Sequence, residues 1–248
     1  PELLVLDNLG LTRRQLEDYK NAVIRPHGMI LVSGPTGSGK STTLYATLSM
    51  LNDIERNILT VEDPVEYTLD GVNQVQVKED IGLDFSSALR TFLRQDPDVI
   101  MVGEIRDRET AEIAVRSSLT GHLVLSTLHT NSALGCVSRL SEMGVSPFLQ
   151  AETLNLLVSQ RLVRLLCPSC KRQYEHRQGI TRYRKTGCAE CYYTGYKGRK
   201  AIYEVIPVDQ TIAESIRQGQ ISNLDIHKNG LSTLADSALT LLREGRTS

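Results

Sequence analysis

Residues 34–41 read Gly34-Pro35-Thr36-Gly37-Ser38-Gly39-Lys40-Ser41, which is the complete pattern G-x-x-x-x-G-K-S. An apolar run at residues 29–33 precedes it, and Thr42-Thr43-Leu44-Tyr45, a helix start, follows it. This order predicts a P-loop (Walker A), because glycines let successive N–H groups point at phosphate oxygens. A glycine-rich turn that binds nothing is the alternative. The candidate nucleotide-binding residues are Gly34, Pro35, Thr36, Gly37, Ser38, Gly39, Lys40, Ser41 and Thr42, with Lys40 also catalytic and Ser41 a magnesium ligand.

The bulk composition is that of an ordinary globular protein. The chain has 248 residues, 40% of them hydrophobic, enough for one sizeable domain or for a core with a small satellite. Lys and Arg number 28 against 29 Asp and Glu, a formal net charge of -1. The chain therefore lacks the excess positive charge that neutralises a nucleic-acid backbone, and no specific nucleic-acid partner is expected.

Hydropathy and the start of the chain predict its location. No run of about 18 apolar residues occurs, so no transmembrane segment is expected. The start, Pro1-Glu2-Leu3-Leu4, has neither an initiator Met nor a secretion signal. We expect a cytoplasmic fragment that lacks a preceding N-terminal region.

Alternating patterns predict an α/β fold with a parallel-rich central sheet. From about residue 28 to 144, short apolar runs alternate with longer amphipathic ones, as in a parallel sheet covered by helices. Asp84 and Asp107 could each cap a helix, and Gly121 could end the second. Residues 67–81 alternate weakly, which is compatible with a strand or a hairpin. The predicted strands are residues 29–33, 58–62, 99–103 and 123–127, with a return strand at 201–207 and short helices from residue 209.

One candidate catalytic carboxylate follows the run 99–103, in a Walker B arrangement. Parallel strands would bring Glu104 beside the P-loop, where it could hold the magnesium shell or polarise the attacking water. Gly103 stands where a magnesium-binding Asp is common, so contact with the metal through water is expected. The alternative for Glu104 is a solvated carboxylate that caps the next helix.

A second acidic cluster, Glu62-Asp63-Pro64-Val65-Glu66, follows the strand Leu59-Thr60-Val61, and Pro64 would force the chain out of that strand. Glu62 is the candidate general base or water-orienting group. A turn of solvated acids is the alternative.

Two histidines bracket the run 123–127. His129, with Thr127, Thr130 and Asn131, lies where a strand end could sense the γ-phosphate, and is a candidate catalytic residue. For His122, a structural and a functional role remain equally open.

Four cysteines predict a metal site. Cys167-Pro168-Ser169-Cys170 and Cys188-Ala189-Glu190-Cys191 form two C-x₂-C knuckles seventeen residues apart, a spacing typical of structural zinc. Four thiolates leave no open coordination position, so the zinc would fold the segment and do no chemistry. Two disulfides are the rival interpretation, disfavoured in a reducing compartment. Cys136 is expected to be a buried small apolar residue, and His176 is a spare ligand.

Together these motifs resemble the secretion ATPase superfamily, specifically the type II secretion ATPase and its type IV pilus assembly relatives. Residues 58–77 resemble the family's Asp box, 96–106 its atypical Walker B box, and 120–131 its His box. The resemblance implies a RecA-like P-loop core that forms a homo-hexamer and hydrolyses ATP with Mg²⁺. It also implies arginines at the nucleotide site and subunit junctions. The candidates are Arg90, Arg94, Arg106 and Arg139, with Arg106 placed among the nucleotide-binding residues.

The resemblance further implies partners and a location. Such a motor powers pseudopilus assembly and protein export across the outer membrane, attached peripherally to the inner membrane through platform and docking proteins. The four-cysteine zinc module is typical of the secretion and pilus-extension branch. Its basic surface, a docking face or simply a solvated loop, comprises Arg172, Arg177, Arg182, Arg184 and Lys185.

The domain organisation follows from these assignments. Residues 1–27 are a linker from the N-terminal region, 28–164 the ATPase core, 165–200 the zinc-binding subdomain, and 201–248 the return strand and C-terminal helices. Three other functions remain open: a type IV pilus assembly ATPase, a conjugation-type nucleic-acid motor, and a zinc-stabilised adaptor with a vestigial nucleotide site.

Overall fold

The computed structural model describes residues 5–177 and 180–248, and residues 1–4 of the predicted linker lie outside this part. The main sheet of the described residues has seven strands in the order β3-β2-β4-β5-β1-β6-β9. All neighbouring pairs are parallel except β6 and β9. The predicted α/β fold with a parallel-rich sheet is therefore confirmed. The strands are β1 Gly28–Ser33, β2 Ile58–Glu62, β3 Asn73–Gln76, β4 Val99–Val102, β5 Leu123–Leu128, β6 Leu154–Leu166, β7 Arg172–Arg177, β8 Ile180–Arg184 and β9 Tyr196–Pro207.

The central strands are buried on both faces, which explains their continuous apolar sequences. Every residue of β1, β2, β4 and β5 is buried. Alternate side chains enter two separate cores, Met29 and Leu31 on one side and Ile30 and Val32 on the other. Helices cover both faces, as parallel sheets require.

Several helices begin where the sequence supplies a capping side chain. Asp84 and Asp107, both predicted caps, accept hydrogen bonds from Ser87 N and Thr110 N. Among the described residues no helix is both long and apolar enough to cross a bilayer. The helices are α1 Arg13–Val23, α2 Lys40–Leu51, α3 Phe85–Phe92, α4 Arg108–Leu119, α5 Gly135–Glu142, α6 Pro147–Thr153, α7 Gln210–Arg217, α8 Asn223–Lys228 and α9 Leu234–Arg243.

Within the weak pattern at residues 67–81, Asn73–Gln76 form strand β3, which pairs parallel with β2 at the sheet edge. The predicted return strand 201–207 is the end of the longer β9. Helix α1, within the predicted linker, buries Tyr19, Ala22 and Val23 against the core.

Strands β6 and β9 form an antiparallel ribbon that extends beyond the rest of the sheet. The hairpin of β7 and β8 and the two cysteine knuckles lie at its end. The last residues of the chain return to this end, where Arg246 O accepts a hydrogen bond from Leu166 N at 2.8 Å. The four-cysteine segment, which holds Cys167, Cys170, Cys188 and Cys191, is thus joined to the core by the ribbon of β6 and β9 and by helix α9 with the residues that follow it.

Candidate functional site

The principal cavity, about 480 Å³, lies at the edge where parallel strands β1, β2, β4 and β5 end. This is where parallel α/β sheets bind ligands, because neighbouring strand ends and the following loops diverge there. The predicted site residues that line it are Thr36, Gly37, Gly39, Lys40, Ser41, Thr42, Glu62, Glu104 and His129. Gly34, Pro35 and Ser38 form the base of the same loop, and Arg106 lines an adjoining cavity of about 390 Å³.

The P-loop has the backbone that its glycines predict. Gly34 and Gly39 have φ of 148° and 89°, in the region that favours glycine. A Cβ at Gly34 would lie 2.6 Å from Gln160 O, so the loop also packs too closely there for a side chain. Helix α2 starts at Lys40 with Gly39 as its N-cap, which offers no side chain to its first N–H groups. This helix end fits a phosphate group.

Lys40 extends across the loop that precedes it. Its Nζ donates hydrogen bonds to Gly34 O at 2.9 Å and to Pro35 O at 3.2 Å. Burial lowers the pKa of Lys40, an effect that the charge of Glu104 opposes. A partly desolvated ammonium at this position would gain from a phosphate anion.

The residues around Ser41 form an oxygen-rich set. The Ser41 hydroxyl donates to Glu66 Oε1 at 3.0 Å, and both residues line the cavity together with Glu62 and Glu104. A hydroxyl and carboxylates are the ligands that Mg²⁺ takes, directly or through water. The Ser41 hydroxyl and the neighbouring Glu66 carboxylate would therefore suit a magnesium ion whose remaining ligands are phosphate and water oxygens.

Glu62, at the end of β2, is buried and accepts three hydrogen bonds. Its Oε1 accepts from Thr60 Oγ1 at 2.6 Å and from Gln74 Nε2 at 3.0 Å, and its Oε2 accepts a short hydrogen bond from the Tyr45 hydroxyl. Burial, followed by this contact with Glu62, raises the pKa of Tyr45 to about 12. Tyr45 thus connects the P-loop helix to the carboxylate on β2.

Glu104 lies at the centre of a charged cluster at the cavity rim. Arg106 makes a short ion pair with it and also contacts Asp63 Oδ2 at 3.2 Å, while His129 Nε2 lies 3.1 Å from Glu104 Oε2. The hydrogen bond to Glu104 raises the pKa of Arg106. Gly103 has little space for a side chain, because a Cβ would lie 3.3 Å from Val61 O.

Other predicted residues lie away from this cavity. Arg90 pairs with Glu109 on the surface, Arg94 is exposed, and Arg139 lines the adjoining cavity beside Arg106. His122 contacts Ser117 O at 2.9 Å, at the end of α4.

Several residues of the site were not predicted. Gln160 on β6 donates to Ser38 O at 2.6 Å and accepts from Thr43 Oγ1 at 2.8 Å, so it holds the P-loop from behind. Tyr45 carried a weak signal, because it lies one helical turn after Ser41. Leu162 and Arg199, from the ribbon of β6 and β9, complete the cavity wall. Nothing in the sequence near them indicates a place in the nucleotide site.

The four predicted zinc ligands come together. The Sγ atoms of Cys167, Cys170, Cys188 and Cys191 all lie within 4.8 Å of one another. Three pairs are 3.8 Å apart, which is about the 3.8 Å edge of a tetrahedron with Zn–S bonds of about 2.3 Å. This separation is far from the roughly 2.05 Å of a disulfide. The set fits a tetrahedral zinc ion.

The surroundings of the cluster support metal binding by thiolates. Gly187 N donates to Cys170 Sγ at 3.3 Å, and Gly195 N donates to Cys191 Sγ at 3.2 Å. His176 contacts Thr181 Oγ1 instead, and Cys136 is buried elsewhere. Of the predicted basic surface, Arg172, Arg184 and Lys185 are exposed and Arg182 pairs with Glu175, while the Arg177 side chain lies outside the described part.

Comparison with known proteins gives consistent matches. The family model described as "Type II/IV secretion system protein" matches residues 2–248. Type II secretion system protein E of Dickeya dadantii (strain 3937) is 52% identical over 252 residues, covering 98% of this chain and 50% of that relative. The type IV pilus assembly ATPase PilB of Myxococcus xanthus (strain DK1622) is 50% identical over 262 residues, covering 98% of this chain and 46% of that relative. The chain thus spans about half the length of these curated relatives.

Solved structures share the fold. The pilus retraction motor PilT with bound ADP superimposes with a TM-score of 0.76 at 31% identity, over 98% of this chain and 64% of that chain. The Legionella pneumophila ATPase DotB superimposes with a TM-score of 0.75 at 24% identity, over 98% of this chain and 63% of that chain.

Proposed function

This chain belongs to the type II/IV secretion system protein family, and on that premise we propose that it is the ATP-hydrolysing core of a protein-secretion motor. The observation that carries the proposal is the 480 Å³ cavity, in which the P-loop faces Glu62, Glu104 and His129. A phosphate-binding loop opposite two carboxylates is what phosphoryl transfer to water needs.

Each site residue has a proposed role. The P-loop N–H groups and Lys40 bind the β and γ phosphates, and Ser41 would hold Mg²⁺, which would supply positive charge against the developing charge on the phosphates. Glu62 or Glu104 orients or deprotonates the attacking water. His129 touches Glu104 at the cavity rim and senses the γ-phosphate, and Arg106 stabilises charge there.

The assembly around this site is also part of the proposal. The motor is a cytoplasmic homo-hexamer that powers pseudopilus assembly and protein export by type II secretion, held at the inner membrane by platform and docking proteins. The relatives named type II secretion system protein E support this choice. The division into linker, core, zinc subdomain and C-terminal region remains part of the same proposal, as does zinc as the ion of the four cysteines.

Type IV pilus assembly is the second candidate function. The pilus assembly ATPase PilB of Myxococcus xanthus is 50% identical to this chain, close to the 52% of the Dickeya secretion protein. Complementation decides between the two: the chain, restored to full length on either relative, should rescue protein secretion and not piliation.

Nucleotide binding is tested by Lys40→Ala. The loss of a charged hydrogen-bond donor to phosphate costs about 1.5–3 kcal/mol, so ADP binding with Mg²⁺ should weaken roughly 10- to 150-fold in calorimetry. Lys78→Ala is the matched control, because Lys78 is exposed outside the cavity. Equal ADP affinities for the Lys40→Ala variant and the unchanged chain would contradict the proposed site.

A further inference from the structure

Glu204, on β9, is a carboxylate buried where the sheet meets the C-terminal helices; only 3% of its surface is exposed. Its Oε1 accepts a hydrogen bond from Ala133 N at 2.7 Å, and its Oε2 accepts one from Leu234 N at 3.2 Å. A buried carboxylate is costly unless hydrogen bonds satisfy it, and here both donors are main-chain groups. One side chain therefore joins two elements that lie far apart in the sequence.

The first of these elements is the loop after β5. Ala133 lies four residues after His129, which contacts Glu104 at the nucleotide cavity. The same loop is also held by Arg161 of β6, whose Nη2 donates to Asn131 O at 3.0 Å. The main chain that follows His129 is thus anchored to both strands of the ribbon.

The second element is α9, whose first residue is Leu234. The residues that follow its far end reach the four-cysteine segment, where Arg246 O accepts from Leu166 N at 2.8 Å and Gly245 O accepts from Lys171 Nζ at 2.7 Å. Helix α9 therefore contacts the cysteine segment at one end and, through Glu204, the His129 loop at the other.

We propose that Glu204 is a positioning residue through which α9 sets the loop that carries His129. A displacement of α9 or of the four-cysteine segment changes the position of His129 relative to Glu104. Neither hydrogen bond of Glu204 goes to the P-loop itself, so we expect the P-loop to change less than the His129 loop. This inference deepens the ATPase function proposed above and rests on it. Because such coupling is reciprocal, nucleotide in the cavity also alters the N-terminus of α9.

A proline substitution removes only the hydrogen bond between Leu234 N and Glu204. Leu234→Pro removes the N–H that Glu204 accepts, at the first helical position, where proline is tolerated. The preceding residue, Thr233, is extended with φ -78° and ψ 170°, as a residue before proline prefers. Leu234→Ala is the matched control, because it shortens the same side chain and keeps the N–H.

The ADP affinity with Mg²⁺ and the kcat of ATP hydrolysis are measured for the unchanged chain and both variants. We expect Leu234→Pro to lower kcat about tenfold, as misplacement of a group at the reacting centre does. Its Kd for ADP should stay within about twofold, since neither hydrogen bond of Glu204 goes to the P-loop. A merely structural role would lower both quantities, or would affect the Ala variant equally. Equal kcat in the Pro and Ala variants overturns the proposal.

Amide hydrogen exchange at Leu234 supplies a second test that needs no turnover. ADP with Mg²⁺ should change exchange there in the unchanged chain but not in Glu204→Gln, since an amide offers one acceptor oxygen in place of two. If ADP binds without changing Leu234 exchange in the unchanged chain, the inference falls and the nucleotide site stands. If the unchanged chain binds no ADP, the proposed function falls, and the inference falls with it.

Discussion

At the scale of single residues, Glu62 and Glu104 face the same cavity with different surroundings. Glu62→Gln would turn an amide donor toward groups that already donate, so the free energy of unfolding should fall by about 1–3 kcal/mol. Glu104 pairs with Arg106 at the rim, so Glu104→Gln should lower the free energy of unfolding by less than about 1 kcal/mol. Both variants should bind ADP and stop hydrolysis, which urea unfolding, calorimetry and turnover assays measure. Loss of ADP binding in either variant would refute these roles.

Residues of the P-loop were predictable because their function depends on neighbours in the sequence. Lys40 and Ser41 follow from one eight-residue pattern and line the cavity as expected. Gln160 was not predictable, since it supports Ser38 across 122 residues of chain. The same holds for Glu204, whose sequence neighbourhood reads as an ordinary strand and whose partners lie 71 and 30 residues away.

At the scale of elements, the four-cysteine segment and α9 should depend on each other. Cys170→Ser should remove the metal, from about one zinc per chain to none, and release the tail that packs against Leu166. Limited proteolysis should then cut within residues 165–200, while ADP affinity stays within about twofold. Cys136→Ala is the control, because Cys136 is buried outside the cluster and should leave the zinc content unchanged. A metal-free Cys170→Ser variant as protease-resistant as the unchanged chain would contradict a folding role for the ion.

The elements were predicted unevenly, for physical reasons. The predicted strands at β1, β2, β4 and β5 are confirmed within one residue at each end, because strands buried on both faces are continuously apolar. Strand β6 was not predicted: its first half is buried on both faces while its second half alternates, and the change of pattern hides the strand. Strand β3 is short and lies at the edge, so few contacts mark it in the sequence.

At the scale of the whole molecule, the family resemblance drawn from the motifs is confirmed by the match over residues 2–248. The parallel-rich fold and the clustering of the four cysteines are confirmed as well. The hexamer, the secretion partners and the catalytic roles remain predictions, since they depend on contacts that a single chain does not contain.

The central claim is that this chain hydrolyses ATP as a subunit of a ring. The most direct test is ATP turnover of the chain by itself and fused to a six-membered ring scaffold, with Lys40→Ala measured in both forms. We predict that turnover rises sharply on hexamerisation and disappears with Lys40→Ala. Folded, zinc-loaded hexamers that bind ADP but hydrolyse no more ATP than the Lys40→Ala variant would contradict the account.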